Sequence, residues 1–215
     1  MEHRSTFQAA TLAAIVALVC IVLMGFVLRA PEPGVSLQPS YPPAPAPEFV
    51  RIVNTYPDLM LRLFTTDSLF VLSYLMVFVG LYATVVDQQR ALAVIGLGAG
   101  ILTAFLDATE NAYFITYAHL ALNGMPLANP DLPAIFIVAN LKWMAAFATL
   151  AAFGLGWPRR DRLGWVLSGL MLLFVLIGVL GIVWPNLFAL RGLFFLIGMP
   201  LFAWHFWRQA SYPLP

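Results

Sequence analysis

The stretch from Phe105 to Asn111 reads Phe-Leu-Asp-Ala-Thr-Glu-Asn and places Asp107, Glu110 and Asn111 at positions i, i+3 and i+4. On a helix that spacing sends all three side chains from one face. The stripe runs back through Ala104, Gly100 and Gly96, and small residues at this interval let a second helix come close. A face built this way is expected to look at other helices. The chain's one lysine, Lys142, shares a helical face with Ala139, Ala145, Ala146 and Thr149. Asn140, two positions away, points roughly 200° around the helix and so toward a different neighbour. Arg191 begins a third face that continues through Phe195, Gly198 and Phe202 to His205. Tyr74 and Tyr113 offer aromatic hydroxyls able to wall a pocket around these charges, although tyrosine is also an ordinary membrane-interface residue.

Several chemistries lack their residues. Zinc wants clustered His, Cys or acidic ligands, and neither His-x-x-x-His nor Cys-x-x-Cys occurs. His119 and His205 lie near opposite ends of their segments, too far apart to share a metal or a haem. Intramembrane aspartic proteolysis needs two acids facing each other from different helices, whereas Asp107 and Glu110 share one. A serine hydrolase would need a Gly-x-Ser-x-Gly elbow or a Ser–Lys dyad, and nothing local supports Ser68 or Ser73 as partner to Lys142. No metal or cofactor is expected, and an enzymatic role is disfavoured. Three roles for the charges stay open: ion pairs that fix helix neighbours, a ligand-binding pocket, and proton or ion handling.

The elements that must position these residues are membrane helices. Of 215 residues 61% are hydrophobic and 10% charged, against roughly 45–50% and 25% in a soluble domain. Mean hydropathy is +0.87. A spanning helix needs about 20 mostly apolar residues, and six such runs are predicted at 6–28, 68–86, 91–118, 132–157, 163–184 and 187–207. The expected fold is therefore all-α: a single polytopic membrane domain over 1–215, built as a six-helix bundle. The net charge of +1 with scattered Lys and Arg argues against a nucleic-acid partner. Cys20, inside an apolar run, reads as a packing residue.

Orientation follows from the basic residues of the short connections. With the N-terminus inside, the cytoplasmic side of a plasma or inner membrane receives Arg4, Arg90, Arg159, Arg160, Arg162 and Arg208, and both termini are cytoplasmic. Trp157, Trp165, Trp204 and Trp207 then form an inner aromatic belt, with Trp184 at the outer interface. The outer segment 29–67 has seven prolines between Pro31 and Pro47, which favour polyproline II with a reach of roughly 50 Å. It is either a spacer or a lid over an outward pocket. Residues 49–64, interrupted at Pro57, follow as one or two short amphipathic helices lying on the outer interface or over the bundle.

At 1.5 Å per residue Asp107 and Lys142 fall at a common depth, with Glu110 and Arg191 nearer the outer surface. A charge at mid-membrane costs about 2.5–3.5 kcal/mol, so four unpaired ones would cost on the order of 10 kcal/mol. Pairing of Asp107 with Lys142 and of Glu110 with Arg191 is expected. The sequence thus favours a non-enzymatic binding or accessory module whose charged pocket lies in the outer half of the bilayer. Its partners would be the lipid bilayer, a small-molecule or lipid ligand from the outer side, and a membrane protein or second copy. The alternatives are a proton- or ion-coupled small-molecule transporter and a lipid-modifying enzyme.

Overall fold

The computed structural model describes residues 3–28, 46–128, 132–188 and 190–211. Its helices are α1 (Arg4–Val27), α2 (Ala46–Thr55), α3 (Pro57–Val85), α4 (Arg90–Leu122), α5 (Leu132–Gly156), α6 (Arg162–Val183), α7 (Pro185–Phe188) and α8 (Arg191–Ser211). Five of them, α1, α3, α4, α5 and α6, are long and apolar enough to cross a membrane. The protein is a multi-pass helical membrane protein. Large apolar side chains such as Leu72, Phe105, Ile137 and Val183 stand exposed on its outside, as lipid contact allows. Helices also satisfy their own backbone groups, which lipid cannot do.

Two boundaries differ from expectation. The amphipathic stretch breaks at Pro57 as expected, but only its first part, α2, which ends at Thr55, is a short helix; Pro57 is the first residue of a 29-residue helix that continues through the predicted span. Proline suits a helix's first turn, where its missing N–H costs nothing. Residues 57–67, assigned to the outer segment, are therefore helical and carry Asp67 into the bundle. The last helix starts at Arg191 after the short α7 turn, so Arg191 stands at its N-terminus, not a turn inside it. α8 also misses the apolarity of the other five because Arg191, Pro200, Trp204, His205, Trp207 and Arg208 dilute it. Helix α8 runs through Pro200. The proline-rich stretch up to Pro45, spacer or lid, lies outside the described residues.

The six long helices close a ring: α1 packs on α3, α3 on α4, α4 on α5, α5 on α6, α6 on α8, and α8 back on α1. Helix α2 lies across α3 and α4 and buries Phe49, Ile52 and Val53. The Phe49 ring sits 5.8 Å from that of Phe114, which stacks on Phe64 at 4.2 Å. Asn54 at its far end clamps the α4–α5 connection: its Nδ2 donates to Leu127 O at 2.9 Å, and its Oδ1 accepts from Leu127 N at 2.8 Å.

The glycine stripe of α4 does serve close packing, but with rings as the partners. A Cβ on Gly96 would lie 2.8 Å from the Phe153 ring of α5, and one on Gly100 2.6 Å from the Phe78 ring of α3. At the other end of the bundle, Asp161 caps α6 by accepting from Gly164 N at 2.7 Å and also accepts from Arg208 Nη1 of α8 at 3.1 Å. The Gly164 N–H and then the Arg208 guanidinium hold its carboxyl below the usual range. Arg159 turns back to donate to Ser168 Oγ and to Gly154 O, near the end of α5. Trp157 is not an interface residue as expected: it is 3% exposed and packs between Phe202 and His205.

Candidate functional site

Within the ring lies a cavity of about 890 Å³. It occupies the part of the bundle where α1 ends and α8 begins, between residues 21–28 of the first and Arg191 and Gly192 of the second. Its walls differ in character. Asp67 and Tyr74 from α3, Asp107, Glu110 and Asn111 from α4, and Lys142 from α5 make one side polar. Apolar side chains of α1, α6 and α8, among them Ile21, Met24, Met171, Phe174, Phe195 and Phe202, make the other.

Each polar residue is set by helical register. Asp67, Tyr74 and, between them, Phe70 recur at i, i+3 and i+7 on α3, a single face. On α4 the i, i+3, i+4 set buries Asp107, Glu110 and Asn111 at 7%, 5% and 1% exposure. Lys142 Nζ approaches from α5, 2.9 Å from Asp107 Oδ1 and in contact with Glu110 Oε2. The second oxygen of Asp107 accepts from Tyr74 OH at 2.9 Å, which ties α3 into the same group. Lys142 thus bridges both acids, where one acid for each base was expected. The Arg191 guanidinium lies 3.9 Å over the Trp143 ring, within electrostatic reach of Glu110.

The other expected residues divide. Asn140 borders the cavity and is exposed. Tyr113 does not wall it; its ring lies 6.3 Å from that of Tyr117 on the α2-facing side of α4. His119 is exposed, and buried His205 sits away from the charges, its Nε2 3.4 Å from Thr84 Oγ1.

Asp67 is the cavity residue that reading the sequence missed. Its carboxyl is hydrogen-bonded to the Asn111 amide and interacts with Asp107, Lys142 and Glu110. The signal was present, because Asp67 lies seven residues before Tyr74 and so on its helical face. It was lost when the span was started at Ser68 instead of at Pro57. Ser68 Oγ gives its own proton to Phe64 O at 2.7 Å and accepts from Asn111 Nδ2 at 3.4 Å. That fixes the amide so that Asn111 Oδ1 is left buried without a partner.

No group of three or more His, Cys, Asp or Glu among the described residues is arranged to hold a metal ion. Compared with family models, curated proteins and solved structures, the chain matches none.

Proposed function

We propose that this chain is a non-enzymatic membrane binding module that takes an amphipathic small molecule or lipid into its central cavity. In this reading α8 is the sixth span: its 21 residues reach about 30 Å at 1.5 Å each, and it closes the ring between α6 and α1. Both termini are cytoplasmic by the arginine bias. The α2 end, the Leu127 turn and the mouth of the cavity then face outward, and the charges lie in the outer half of the bilayer as an intramembrane ion-pair cluster.

The observation that carries the reading is the cavity itself. Its volume of about 890 Å³ falls within the roughly 300–1,000 Å³ of small-molecule pockets, and it has one polar and one apolar wall. Binding is favoured over transport by what lies below the charges. Toward the cytoplasmic end the lining is Val77, Phe78, Leu150 and Phe202, with Thr103 as its one hydroxyl among the described residues, a mainly apolar floor.

The test uses Gly198, which lines the cavity from α8. A Cβ there would meet nothing closer than 3.6 Å, so the position admits a side chain, and Gly198→Leu is chosen to direct one into the cavity. Dodecanol and dodecylamine are expected to raise the unfolding temperature of the nanodisc-embedded protein, and Gly198→Leu to abolish that rise while unfolding at a similar temperature unliganded. Failure of every twelve-carbon amphiphile tried to stabilise the wild type, or equal stabilisation of the filled variant, refutes the reading.

A further inference from the structure

We infer that the ligand of this cavity carries one positive charge, an amine or ammonium headgroup, and that Asp67 is its counter-ion; this rests on the binding reading above. Partner counting leads to it. Asp107 has both oxygens engaged, one by Lys142 and one by Tyr74, and Glu110 is engaged by Lys142. Asp67, by contrast, forms no ion pair among the described residues, and its hydrogen-bond partner is the neutral Asn111 amide. The cavity wall holds the carboxylates Asp67, Asp107 and Glu110 against the cations Lys142 and Arg191, so the acids are one in excess.

Acceptors are in surplus as well as charge. Beside Asp67, Asn111 is 1% exposed and its Oδ1 has no donor. An uncompensated carboxylate in a low-dielectric site is costly unless it meets a charge and hydrogen-bond donors. An ammonium supplies both, with up to three N–H donors. The neighbourhood suits a cation in a second way: Phe64, Phe70 and Tyr74 line the cavity on the Asp67 helix, and aromatic faces attract positive charge. The hydrocarbon part of the ligand then lies against Met24, Phe174 and Phe195.

The experiment compares three probes with one twelve-carbon chain, dodecylamine, dodecanol and dodecanoate, on the full chain in phosphatidylcholine nanodiscs. Binding is read as the stabilisation that Gly198→Leu removes. Dodecylamine is expected to bind roughly 10- to 100-fold more tightly than dodecanol, the span of one charge-assisted hydrogen bond. Asp67→Asn is expected to bring the two level. Equal affinity of amine and alcohol in the wild type overturns the inference while leaving the cavity reading in place, as does a preference for dodecanoate. An amine preference that survives Asp67→Asn overturns the assignment to Asp67. No stabilisation by any probe overturns both. The three-probe comparison on the wild type decides the headgroup charge even where Asp67→Asn fails to fold.

Discussion

Replacing Lys142 by Met removes the one group that neutralises two buried carboxylates at once. Lys142 Nζ stands 2.9 Å from Asp107 Oδ1 and also contacts Glu110, with the three side chains only 14%, 10% and 6% exposed. Breaking a buried ion pair by removing one partner costs about 3–5 kcal/mol, because the other charge stays buried and unpaired. At about 2–4 °C per kcal/mol for a chain of this size, Lys142→Met should lower the unfolding midpoint by roughly 6–20 °C. Asp107→Asn and Glu110→Gln should each cost less, since either leaves Lys142 one carboxylate. The triple variant Asp107→Asn/Glu110→Gln/Lys142→Met removes every charge of the bridge and should return to within about 2 kcal/mol of wild type. Tryptophan fluorescence during thermal unfolding in a mild detergent reads all four. The argument is refuted if Lys142→Met falls within about 1 kcal/mol of wild type, or if the triple variant is no more stable than the single.

Two further sites give independent checks. Asp161→Ala removes the α6 cap and should cost about 0.5–2 kcal/mol near neutral pH. Because the folded carboxyl is depressed, this contribution is present above its unfolded value near 4 and disappears as pH falls through the lower folded one. Wild type and variant should therefore converge in acid; a gap that persists unchanged at low pH contradicts the cap. Gly178→Ala would drive a Cβ into the Phe147 ring between α6 and α5 and should destabilise by about 1–3 kcal/mol by overpacking, measured by the same unfolding assay; a neutral effect would show that Phe147 moves aside.

The helical membrane class and the charged face of α4 were legible because each rests on strictly local information. Hydropathy over twenty residues finds α1, α3, α4, α5 and α6, and the 3.6-residue period alone groups Asp107, Glu110 and Asn111. Partner assignment was less legible. Depth arithmetic brought Lys142 to the level of Asp107 but could not foresee that one long, flexible ammonium would reach both acids, or that Arg191 would lie on Trp143 at the start of its helix. Asp67 was missed for a different reason. Pro57 both follows the end of α2 and opens α3, and a proline's fitness for a helix's first turn does not say how far the helix after it runs. Aromatic filling of Gly96 and Gly100 was likewise invisible, because a small-residue stripe reports space and not what enters it.

The ion-pair cluster and the cavity are parts of one arrangement. Lys142 and its two acids join α4 to α5, and Tyr74 adds α3, so three helices of the ring are held by polar contacts on one side of the hollow. The space of about 890 Å³ between these walls has the size of a small-molecule pocket. Water alone would wet Asp67 and Asn111 but leave the Met24, Phe174 and Phe195 side without apolar contacts. A lipid chain alone would cover that side but leave an uncompensated carboxylate against hydrocarbon. On the binding reading proposed above, a molecule with a hydrocarbon body and a donor-rich, positively charged end would satisfy both walls at once.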